Sequence, residues 1–193
     1  MVANGKLIRA GLWRWLQGPG LERFEFLRLP DAWLFRGTIL TSADNGPSEV
    51  RYEILCDSAF CTRNATISVH DNLGDRRLEI SARDGLWLEN GRENQTVKGA
   101  IDIDLGWSPA TNTLPIRRLG LKVGEPSGEF IAAWVRFPDL TLQPLPQEYV
   151  RLAENQYRYS SRGGAFVAGL NVDEHGLVLD YEGFWQRATG GPV

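Results

Sequence analysis

Apolar and polar residues alternate along most of this 193-residue chain, and the alternation breaks every few positions at Gly, Pro, Asn or Asp. A period of two sends successive side chains to opposite faces, so these segments read as short strands joined by tight turns. The pattern predicts strands over 33–41, 49–56, 61–70, 77–82, 86–89, 101–105, 116–123, 130–137, 140–144, 156–160, 165–172 and 177–181. Phe166, Ala168, Leu170 and Val172 form one strict apolar row, as in a half-buried strand. The stretch 130–137 is apolar on both faces until Arg136 interrupts it, as in a central strand. The best helical candidate is 7–17, where Leu7, Ala10, Gly11 and Arg14 follow one face poorly and Gly11 weakens the pattern.

Strands this closely spaced imply antiparallel pairing, because a parallel crossover needs roughly a dozen connecting residues. A sheet covered on both faces in its middle, with few helices to cover it, must curl over itself or pack on a second sheet. Two stretches share one scheme: V-R-Y-E-I with F-C-T-R-N-A-T-I-S-V, and Q-Y-R-Y-S with F-V-A-G-L-N-V. They read either as two generic hairpins or as the trace of a duplication with related halves near 20–105 and 106–190, within a single domain 1–193.

Composition narrows the function classes. A hydrophobic fraction of 42% with 23% charged residues is that of a globular protein. A formal net charge of -3 argues against a nucleic-acid partner held by phosphate neutralisation. The first sixteen residues interrupt every apolar run with Arg or Gly, so no signal-peptide core forms and a cytoplasmic location is expected. No stretch approaches the ~20 apolar residues that cross a bilayer. Cys56 and Cys61 are the only cysteines and read as two thiols in a reducing compartment rather than as a cross-hairpin disulfide.

Candidate chemistry concentrates in A-I-D-I-D-L-G-W-S-P-A-T-N-T-L-P-I-R-R-L-G-L, residues 100–121. Asp102 and Asp104 form a D-x-D whose carboxylates share a strand face. They can hold a divalent cation, receive Arg117 or Arg118 in a structural salt bridge, or form a solvent-facing polar edge, which is the favoured reading. Ser108, Thr111, Thr113, Asn112, Arg117 and Arg118 supply hydroxyl, amide and guanidinium groups between prolines, with Trp107 beside them. Such groups recognise sugar hydroxyls and anionic oxygens, and they equally satisfy local backbone groups in a long turn. Trp134 and other aromatics belong to the core or line a groove. Two histidines, His70 and His175, cannot build a His-rich metal site, and Asp173-Glu174-His175-Gly176 reads as a turn. No G-x-S-x-G or phosphate-cradling Gly loop is present, so no catalytic residue, metal or cofactor is assigned.

The run at 100–121, with A-A-W-V-R-F-P-D-L-T-L at 132–142 and D-E-H-G-L-V-L-D-Y at 173–181, resembles the bacterial putative glycolipid-binding family, formerly a domain of unknown function. The resemblance spans about 33–185. It implies a mainly β fold, a long curved antiparallel sheet approaching a half-barrel with few or short helices. It also implies a lipid or glycolipid partner, held in an apolar groove with Trp107, Thr111, Asn112, Thr113, Arg117, Arg118 and Trp134 at its ligand-binding mouth. Two alternatives stay open. One is a hydrolase or transferase on a glycosylated or acylated substrate, using Asp102, Asp104 and Glu174. The other is a structural interaction module without a small ligand.

Overall fold

The computed structural model describes residues 5–43 and 46–189. Its first half is a run of antiparallel strands: β1 (Lys6–Trp15), β2 (Gly20–Arg28), β3 (Ala32–Ala43), β4 (Gly46–Asp57), β5 (Thr62–Asp71), β6 (Gly74–Arg83), β7 (Leu86–Glu89) and β8 (Arg92–Glu93). The second half contributes β9 (Ile103–Leu105), β10 (Phe130–Val135), β11 (Leu142–Ala153), β12 (Gln156–Ser161), β13 (Phe166–Val172), β14 (Val178–Tyr181) and β15 (Trp185–Thr189).

All fifteen lie in one curved sheet, ordered β8 to β1 and then β15 down to β9, which does not close into a barrel. The β1–β15 pairing welds the two runs, with Trp13 opposite Arg187 and Trp15 opposite Trp185. Among the described strands only β9 and β10 pair in parallel, across a connection that holds the helical segment of the chain. The curved, mainly β fold expected from the pattern is therefore present.

Two local expectations give way to the fold. The helical candidate at 7–17 is strand β1, because its poor helical face is outweighed by hydrogen-bonded neighbours on both sides, β2 and β15. The expected strand at 116–123 is instead the end of a short helix, α1 (Thr113–Leu119), entered through a 3-10 turn at Pro109–Asn112. The Ser108 side chain caps that turn by accepting from the Ala110 N–H. Gly120, in the left-handed region at φ 56°, stops α1.

Here the sheet's apolar rows meet the helical segment. Phe24, Phe26, Phe35, Val50, Tyr52, Ile54, Ile67, Leu78 and Ile80 from the first half join Ile103, Leu114, Ile116, Tyr149, Tyr159 and Leu170 in one core. Hydrogen bonds tie the segment entering β9 to β5 and β7 across this filling. The Thr62 N–H donates to the Ile101 carbonyl, the Ile103 N–H to Thr62 Oγ1, and Trp87 Nε1 to the Ala100 carbonyl. The expected open groove is thus largely packed with side chains. No helix among the described residues is long and apolar enough to cross a membrane.

Candidate functional site

Strand direction and register bring to one end of the sheet the C-terminal ends of the parallel pair β9 and β10 and of β12 and β14, with the starts of β11, β13 and β15. Ser161 faces Phe166 across β12–β13, and Tyr181 faces Trp185 across β14–β15. Between them lies a cavity of about 210 Å³. Six rings line it: Trp134, Tyr159, Phe166, Tyr181, Phe184 and Trp185. Phe184 packs edge-on to Phe166 and Tyr181, and Tyr159 edge-on to both of those rings as well. The polar lining of the cavity comes from Asp104, Ser108, Asn112, Ser161 and Arg162.

Asp104 is held by β9 directly opposite Trp134 of β10. Burial pushes its carboxyl up to about 6, against the hydrogen bond it accepts from Gln147 Nε2, and the nearby Asp102 raises it further. Burial likewise raises the phenols of Tyr149, Tyr159 and Tyr181, which stay neutral. Asn112 enters from the helical segment and donates to Tyr149 Oη at 2.8 Å.

Ser108 connects this cavity to a second acid behind its wall. Its hydroxyl donates to Glu22 Oε1 at 2.8 Å, and Tyr52 Oη donates to the same oxygen at 2.5 Å. Glu22 is fully buried, and Oε2 has no hydrogen-bond partner. Burial dominates over those two donors and pushes the carboxyl up to about 8.

Glycolipid-binding family membership rests on the sequence. The profile of the family described as putative glycolipid-binding matches residues 11–187. The chain belongs to this family. A solved DUF1089 family protein from Pseudomonas aeruginosa shares the family's fold with it at 35% identity and a TM-score of 0.79, covering 87% of this chain and 91% of that one. No curated protein matches the chain.

Within this family member, the residues singled out from sequence separate. Asn112 and Trp134 line the cavity. Thr111 is buried beneath it, accepting from the Leu105 N–H at 3.1 Å, and Thr113 is buried with its hydroxyl unpartnered. Trp107 is half-buried, edge-on to Tyr52 and Phe137. Arg117 is exposed over the Phe60 ring, with 5.2 Å from Cζ to the ring centre. Arg118 clamps Asp102 through Nε at 3.0 Å and Nη2 at 2.6 Å. The D-x-D is therefore not a solvent-facing edge: Asp102 is 1% exposed and salt-bridged, and Asp104 faces the cavity. The polar stretch after Trp107 is buried and helical because Pro115 fits a first helical turn and Leu114 and Ile116 have a core to enter.

Among the described residues no cluster of three or more His, Cys, Asp or Glu can hold a metal, and both cysteines are free thiols. Sequence reasoning missed Glu22, Tyr159, Ser161, Arg162, Phe166 and Tyr181. Glu22 had a signal, since it lies in the apolar row of Phe24 and Phe26. The others are ordinary strand and turn residues whose convergence depends on register.

Proposed function

We propose that the protein binds a glycolipid by its head group, with a single ring-sized unit entering the cavity between β9 and β15. The observation that carries this is the pairing of six aromatic walls with the Asp104, Ser108, Asn112 and Ser161 groups in one small opening. Aromatic faces stack on the apolar face of a sugar ring, while carboxylate, amide and hydroxyl groups meet its hydroxyls. Size supports a head group over a whole lipid. An engineered cavity of ~150 Å³ takes one benzene, whereas pockets for drug-sized ligands run from ~300 Å³ upward. The alkyl part then continues over the half-buried Phe166 and Phe184 at the rim, where each buried methylene contributes ~0.8 kcal/mol.

Titration with octyl glucoside below its micellar concentration, read by tryptophan fluorescence, tests this. A saturable signal is expected that weakens at least tenfold in Trp134→Ala. Absence of saturation, or binding indifferent to Trp134→Ala, overturns it.

A further inference from the structure

Among the described residues Asp104 is the one carboxylate lining the cavity. No Lys, Arg or His among them forms a salt bridge with it, and its hydrogen-bond donor is the neutral amide of Gln147. Its D-x-D partner is treated in the opposite way, since Asp102 is enclosed and fully matched by Arg118. One acid of the pair is neutralised inside the fold, and the other is aimed at an aromatic-walled space. A ring face is electronegative, so aromatic walls around an acid form the environment that holds a desolvated organic cation. Trp134 already attracts positive charge: the exposed Arg162 and Arg136 hold Cζ at 5.0 and 5.5 Å from its ring centre. Arg162 also lines the cavity, so its guanidinium favours a neutral or anionic substituent on its own side and leaves the side of Asp104 to a cation.

We propose that the head group taken by this cavity carries a protonated or quaternary ammonium, seated against Asp104 and enclosed by Tyr159, Tyr181, Phe166 and Trp134. This rests on the head-group reading above and specifies its chemistry. An amino sugar and an alkylammonium head group share that chemistry, and the probes below separate them.

The test compares glucosamine and choline with the neutral glucose and N-acetylglucosamine, by calorimetry, on the wild-type protein and on Asp104→Asn. The cationic probes are expected to bind at least tenfold more tightly than the neutral ones. Asp104→Asn removes that preference: the cationic probes lose at least tenfold in affinity and bind no more tightly than the neutral ones. Tighter glucosamine than choline identifies an amino sugar, and the reverse an alkylammonium. A second measurement does not depend on any variant. Below about pH 6, wild-type affinity for the cationic probes falls by about tenfold per pH unit as Asp104 takes up a proton, more steeply than affinity for the neutral probes. Among the groups facing Asp104, Gln147 does not titrate and the phenols of Tyr149, Tyr159 and Tyr181 are held neutral, while the neutral probes run over the same pH range control for Asp102, whose carboxyl burial raises against the Arg118 clamp. If octyl glucoside binds but cationic and neutral probes are equivalent, the ammonium inference fails and the head-group reading stands. If no probe saturates, both fall.

Discussion

Replacing Glu22 with Gln should make the protein more resistant to alkaline conditions, and the size of the effect follows from the site. In the unfolded chain a glutamate ionises near 4.5, whereas in the fold burial pushes Glu22 up to about 8. Between those values the unfolded state sheds the proton and the folded state keeps it. Stability therefore falls as pH rises through that window, and it levels off above about 8. Each unit is worth about 1.4 kcal/mol, and with the slope only partial near 4.5 and near 8 the wild-type loses about 3.5 kcal/mol from pH 5 to pH 8 through this one group. A glutamine side chain has nearly the same shape. Its amide oxygen can accept the Tyr52 and Ser108 hydroxyls, and its nitrogen takes the place of the unpartnered Oε2.

The assay is urea unfolding of both proteins at pH 5, 6, 7 and 8, followed by the fluorescence of the seven tryptophans. The buried, unpartnered amide that Glu22→Gln introduces adds a constant offset at every pH, and other titrating groups cancel in the difference. The informative quantity is the slope. The variant should gain on the wild-type with pH, to a total of about 3.5 kcal/mol. A difference that stays flat from pH 5 to pH 8 would refute the argument, because Glu22 would then ionise as an exposed carboxylate does.

Arg118→Ala leaves Asp102 buried without its partner and should cost about 3–5 kcal/mol in denaturant unfolding, part of which Asp102→Asn in the same chain recovers. Gly106→Ala places a methyl group against Nε1 of Trp134 at the cavity wall. The added Cβ would clash with that nitrogen, so the Trp134 ring must shift, and the expected result is a loss of about 1–3 kcal/mol in stability together with weaker octyl glucoside binding, measured by unfolding and fluorescence titration on the same preparation.

Alternation was legible where an apolar row runs unbroken, and it passed over β2, β15 and most of β11, whose buried row includes Gln147. The apolar row of Phe166, Ala168, Leu170 and Val172 appears as β13 with Ala168, Leu170 and Val172 buried. It was less legible where the fold supplies what the local sequence lacks. The segment of β1 carries Leu7, Gly11 and Leu12 without clear period and becomes a strand through its two neighbours. At 113–119 the residues Ile116 and Leu119 suit a strand or a helix, and Pro115, Gly120 and a core ready to receive Leu114 decide for the helix. At the cavity, composition drew attention to the polar stretch after Trp107. Fold places Asn112 on the wall, buries Thr111 and Thr113, and turns Arg118 onto Asp102. Trp134, Tyr159 and Tyr181 come from three strands separated in sequence, so their meeting is fixed by register rather than by any motif.

Polar groups are spent unevenly across this fold, and the unevenness marks the site. Buried charges elsewhere are matched: Asp102 by Arg118, Asp173 by Arg187, and Asp71 by Arg76. Unmatched buried acids destabilise a fold, and each such group needs a reason to persist. Among the described residues Asp104 and Glu22 are the two carboxyls raised by burial without a cationic partner, and both meet the same cavity, one directly and the other through Ser108. A purely structural module could replace them with apolar residues and gain stability. Their presence at one aromatic-walled opening fits a fold that gives up some stability to keep two protonatable groups beside the proposed ligand.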